Sequence, residues 1–160
     1  MVPKAAPLGA IPMDELADAI RVDLEAPLLL TSAFLRATQT WKARRKVLNI
    51  SSGLGRRAMA SQALYCAAKA GIDHLTRCIA LEEASQPNGA KVCSLAPGVI
   101  DTDMQVQLRS SDPAQFPDVG YFAGIKEQGV LASPAEAARR VIAYLERPDF
   151  GSNPVGDVRN

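Results

Sequence analysis

An α/β fold built on a parallel sheet is what this sequence predicts, and three observations carry the prediction. Helix-like and strand-like segments alternate along the chain in the order of such folds. The two clearest strands, "KVLNISS" at 46–52 and "AKVCSLAPG" at 90–98, are short apolar runs that read as buried. A chain of 160 residues, 48% hydrophobic and 22% charged, makes one domain over 1–160 with a real core.

The elements follow in order. Residues 1–12 are rich in proline and read as irregular. From Asp14, a candidate N-cap, apolar positions at Leu16, Ile20, Leu24, Leu28, Phe34 and Leu35 keep close to a 3.6-residue period. They predict one long helix, bent or weakened where Pro27 removes a backbone donor. The basic run Trp41–Lys46 reads as a solvated loop before the first strand, and "GLGRR" as a loop after it. A second helix is expected over 61–84, with Ala67, Gly71, Leu75 and Ile79 facing inward. The small residues among them allow another backbone to approach closely. "QPNG" ends that helix, and the second strand closes on a Pro-Gly turn. Residues 99–132 lack periodicity and read as a long functional or mobile loop. A third helix opens at Ser133, with Pro134 at the first helical position and Glu136 completing a capping box. "NPVGDVR" reads as a final strand.

Several function classes are disfavoured. A net charge of +1 gives no field to draw the chain to nucleic acid or to an anionic membrane. No apolar run reaches the ~18 residues of a membrane span, and the opening stretch has no continuous apolar region like that of a secretory leader. Cys66, Cys78 and Cys93 lack CxxC spacing and read as free, mostly buried thiols in a reducing, cytoplasmic setting. Asp101 and Asp103 flank Thr102 without further ligands, which argues against a metal site. His74 and the pair Arg56 and Arg57 read as surface residues, and Cys66 as packing.

The chemistry concentrates in "ASQALYCAAKAG", residues 60–71. A free phenol keeps its proton up to a pH of about 10 and is a poor base at neutrality. An ammonium one helical turn away stabilises the phenolate, and positions i and i+4 share a helix face. Tyr65 and Lys69 stand at that spacing, and Ser52, at a strand end, could hold a reacting oxygen beside the phenol. Tyr65 and Lys69 taken alone also fit an ordinary helix. In parallel α/β folds ligands collect at the carboxyl ends of strands, so "NISS" and "APG" should open onto one edge.

Taken together, "NISS", "YCAAKAG" and "PGVIDT" resemble the short-chain dehydrogenase/reductase family, from Asp14 to the final "VGDVR". The resemblance implies a three-layer Rossmann-type fold and an NAD(P)-dependent oxidoreductase acting on a small carbonyl or alcohol. It assigns Ser52 to orienting the substrate oxygen, Tyr65 to general acid/base work, and Lys69 to the nicotinamide ribose and the tyrosine. Pro97, Gly98, Ile100 and Thr102 fall where the family holds the nicotinamide end. The segment 99–132 takes the place of the substrate loop, and "YFAGIKEQGVLASPAEAA" is similar to the sepiapterin-reductase and benzil-reductase branch, which implies NADPH rather than NAD. It further implies a homodimer or homotetramer through the two long helices. Two departures stand out. Asp23 occupies a position where the family has an asparagine, and nothing in the chain resembles the family's glycine-rich phosphate-binding turn, so the match is to the C-terminal half of the fold. An alternative reading is a non-catalytic remnant that acts as an oligomerising or interaction module.

Overall fold

The computed structural model describes residues 5–160. The irregular stretch expected at 1–12 lies partly outside them, and within them Leu8–Ala10 forms a single 3-10 turn. Helix α1 spans Met13–Ile20 and α2 spans Ala26–Ala37, joined by a widened turn at Arg21–Glu25. The cause lies one residue further on. Pro27 has no N–H to give the carbonyl four residues back, and the Ala26 amide reaches the Arg21 carbonyl, five residues back, instead. The expected bend at Pro27 is therefore an expanded turn just before it, and Asp23 sits at its centre. Asp14 does not cap: Pro12 holds that position, and Asp14 lies in the first turn, where a carboxylate suits the helix dipole.

Strand β1 is Lys46–Ile50, α3 is Ala63–Ala84 and β2 is Lys91–Ala96. Helices α4, Asp103–Arg109, α5, Val119–Glu127, and α6, Pro134–Glu146, lead to β3, Val155–Asp157. The described residues form a three-stranded parallel sheet in the order β1-β2-β3, with Ile50 paired to Leu95 and Ala96 to Asp157. Alternation along the strands divides the core. Val47 and Val92 pack with Leu75 and Ile79 towards α3, while Leu48, Cys93 and Leu95 pack with Val141 and Tyr144 towards α6. Leu95 is fully enclosed, a burial that contributes about 1.5–3 kcal/mol. The parallel α/β sheet predicted from the alternation is thus present, with helices on both faces as the family resemblance implied.

Five expectations are corrected. The segment 99–132 is not an open loop, because α4 and α5 fold within it and an Ile100–Ala132 bridge draws its ends together. Arg45 is 5% exposed rather than solvated, donating Nη2 to Glu83 at 2.9 Å and Nε to the Asn88 carbonyl at 3.0 Å. A planar guanidinium can satisfy several acceptors at once, which lets it be buried. Of the three thiols only Cys93 is buried; Cys66 is half-buried and Cys78 exposed. On α3, Ala67 faces solvent, and Ala68, Ile72 and Asp73 face inward instead. Ser133 does cap α6, its Oγ accepting from the Glu136 amide at 3.2 Å, but the Glu136 carboxylate turns outward to Arg140.

Candidate active site

The carboxyl ends of all three strands line one cavity of about 560 Å³, through Ser52 after β1, Pro97 after β2 and Arg159 after β3. That volume suits a small organic ligand. Tyr65, in the first turn of α3, lines the same cavity, and so do Gly98, Ile100 and Thr102.

The loop carrying Ser52 is held tightly against α3. Gly55 passes so close to the backbone of Lys69 that a Cβ there would lie 2.9 Å from the Lys69 carbonyl carbon. Arg56 then donates Nε to Asp73 at 3.0 Å and Nη2 to the Gly156 carbonyl at 2.8 Å. Asp73 is 1% exposed and accepts a further hydrogen bond from the Ser94 hydroxyl at 2.7 Å. A buried carboxylate needs such partners, and here they tie loop, helix and sheet together. Arg56, expected in a solvated loop, is instead a clamp. Ser52 Oγ accepts from the Leu54 amide at 3.2 Å, which leaves its O–H able to donate.

Lys69 places its ammonium 5.4 Å from the centre of the Tyr65 ring, within cation–π range. The same Nζ donates to Asp23 at 3.2 Å and to the Ile50 carbonyl at 3.4 Å. Lys69 is not part of the cavity wall; it stands behind the phenol, held by the widened turn between α1 and α2.

On the β2 side, Gly98 has φ +84°, a backbone turn that favours glycine. The bonds that close the 99–132 segment run from the Asp101 amide to the Ala132 carbonyl and from the Ala132 amide to the Val99 carbonyl. Neither uses the Ile100 amide. Asp101 is anchored to Lys126 of α5 at 2.5 Å, and that hydrogen bond holds its carboxyl below the usual carboxylate range. Thr102 is exposed and lines the cavity, and its hydroxyl donates to the Ile100 carbonyl at 3.5 Å.

Residues not singled out from the sequence complete the wall. Gln62, Gln105 and Tyr121 had no signal beyond ordinary polar or aromatic character, and Arg57, read as solvated, also lines the cavity. Arg159 is oriented by Asp157, which accepts from its Nε at 2.8 Å and Nη2 at 2.6 Å. That contact pulls the Asp157 carboxyl below its ordinary range.

A family model described as short chain dehydrogenase matches residues 2–113, more than half of the chain. The chain belongs to the short-chain dehydrogenase family. The benzil reductase ((S)-benzoin forming) of Bacillus cereus is 38% identical over 139 residues, 87% of this chain and 55% of that one. Sepiapterin reductase of Xenopus tropicalis is 31% identical over 140 residues, 86% of this chain and 51% of that one. These are the two reductases of the branch expected from the 121–138 segment. This dehydrogenase-family chain spans a little over half the length of such relatives. A short chain dehydrogenase/reductase from Saccharomyces cerevisiae, 20% identical, matches with a TM-score of 0.81 over 100% of this chain and 63% of that one. At that identity the likeness speaks to the family's Rossmann-type fold.

Proposed function

We propose that the protein is an NAD(P)-dependent oxidoreductase that interconverts a small carbonyl compound and its alcohol, with Tyr65 as general acid/base. One observation carries this reading: Ser52 and Tyr65, from a strand end and a helix, meet on the wall of one cavity together with the turn at Pro97–Thr102.

The residues on that wall fit the nicotinamide end of such a cofactor. Gly98 turns without a side chain, a Cβ there would meet nothing nearer than Val158 at 3.8 Å, and Thr102 offers a hydroxyl. Pro97, Gly98, Ile100 and Thr102 would hold it. When bound, the nicotinamide supplies or accepts the hydride. The Ser52 hydroxyl, kept free to donate, holds the substrate oxygen, and the Tyr65 phenol gives that oxygen its proton during reduction. Lys69 offsets the negative charge left on the phenol oxygen, and Asp23 keeps the ammonium in place. NADPH is proposed over NADH on the strength of the branch. Benzil, named for the Bacillus relative, is the first substrate to try, since the cavity is lined by Leu54, Met59, Met104 and Phe122 among others. We place the protein in the cytoplasm, as a homodimer or homotetramer joined through α1–α2 and α3.

Tyr65→Phe removes only the phenolic hydroxyl. Turnover of NADPH with benzil is expected to fall at least about a hundredfold, with the thermal melting curve unchanged. Turnover equal to that of the unaltered protein would overturn the assignment.

A further inference from the structure

Ser52 follows β1 and Arg159 follows β3, and both line the cavity, with Pro97 of the turn after β2 between them. Two strand spacings, roughly 10 Å, separate those strands, and a long side chain bridges most of that. Arg159 is not a loose surface cation. Its backbone amide donates to Asp157 Oδ1 at 3.0 Å, its Nε to the same oxygen at 2.8 Å, and its Nη2 to Oδ2 at 2.6 Å. Asp157 belongs to β3 and its side chain is 8% exposed, so the guanidinium is fixed to the sheet. The Arg159 side chain itself is 59% exposed, which leaves it open to a ligand. A guanidinium carries more N–H donors than one carboxylate takes, and Nη1 has no partner among the described residues. The Asp157 charge also acts on whatever binds there. It repels a carboxylate, whereas a neutral carbonyl oxygen meets only the free donors.

We propose that Arg159 donates to the second carbonyl of a 1,2-diketone whose first carbonyl lies at Ser52 and Tyr65. The cavity then selects vicinal diketones over simple ketones of the same shape. Asp157 is the positioning residue, since a donor fixed before the ligand arrives loses less freedom on binding than a loose one. The inference rests on the reading of this cavity as a carbonyl site, and it agrees with benzil as the first substrate to try.

The test needs no turnover. Benzil and deoxybenzoin share both phenyl rings and differ in one carbonyl, which is a methylene in the second. Their dissociation constants are measured on the full chain by ligand-observed saturation-transfer NMR, with NADP+ present because it cannot reduce either ketone. Benzil is expected to bind about tenfold more tightly, the worth of one hydrogen bond from a charged donor. Arg159→Met should abolish that preference while both ketones still bind. Arg57→Met, which removes the other arginine after Ser52 on the wall, should leave it intact. Asp157→Asn should narrow it, because the guanidinium loses its anchor; an undiminished preference there overturns the positioning role. Equal affinity for the two ketones in the unaltered protein overturns the proposal. So does a preference that survives in Arg159→Met, or one lost in Arg57→Met instead, which would hand the donor role to Arg57. Weaker NADP+ binding in Arg159→Met with the ketone preference intact also overturns it, since the donor would then belong to the cofactor. Failure of the unaltered protein to bind either ketone overturns the carbonyl-site reading itself, together with this inference.

Discussion

Asp157 illustrates how one side chain can hold a wall of the cavity. Its carboxylate orients Arg159, and its side chain is only 8% exposed. A free aspartate titrates at about pH 3.9, and the Arg159 hydrogen bond lowers the folded-state value below that. The stabilisation is therefore complete above the unfolded value and is lost as pH falls through the folded one. The melting temperature, followed by circular dichroism between about pH 5 and pH 2, should fall more steeply in the unaltered protein than in Asp157→Asn. Parallel curves would show that the contact carries no stability. None of this was legible in "VGDVR", which reads simply as a strand. Arg45 escaped for a related reason, since its partners Glu83 and Asn88 arrive from far along the chain. Ser52, Tyr65 and Lys69 were legible because their chemistry is tied to short spacings, whereas Gln105 sits in "TDMQVQ", which looks like polar surface.

Among elements, the decisive contact is that of the Ser52 loop with α3. Gly55→Ala would force a Cβ against backbone that cannot move without displacing α3, the helix that carries Tyr65. The loop must shift instead, taking Ser52 with it. Misplacing a positioning group by about 1 Å can cost on the order of a hundredfold in rate, so kcat with benzil should fall by about that much while KM changes little. An unchanged kcat would mean that the loop adapts without moving Ser52. The helices around this contact were readable, α3 from its length and α6 from Ser133 and Pro134. Helices α4 and α5 were not. With seven and nine residues they are too short for periodicity to declare itself, and the bridge that closes their segment joins residues thirty-two positions apart. The widened turn at 21–25 was visible only as a proline, because the rearranged hydrogen bond leaves no mark in the side chains.

At the scale of the whole molecule, exposed apolar surface gathers on α2, where Leu28, Leu29 and Leu30 are 42%, 56% and 71% exposed. Large exposed apolar side chains concentrated on one helix suit an association surface, and a second copy meeting it helix to helix is the proposed occupant. Leu30→Glu would place charge at that contact. Sedimentation velocity should show the unaltered protein well above 17.0 kDa and the variant near it; an unaltered protein that sediments at the chain mass would exclude assembly through α2. Topology carries a last consequence. Each parallel pairing joins distant stretches, β1 to β2 and then β2 to β3, and Arg159, just after β3, is the last residue in sequence among those that line the cavity. A ribosome translating this message completes Ser52, Tyr65 and Lys69 long before it reaches Arg159. The nascent chain therefore carries these three side chains for a time before the Arg159 side of the cavity wall exists.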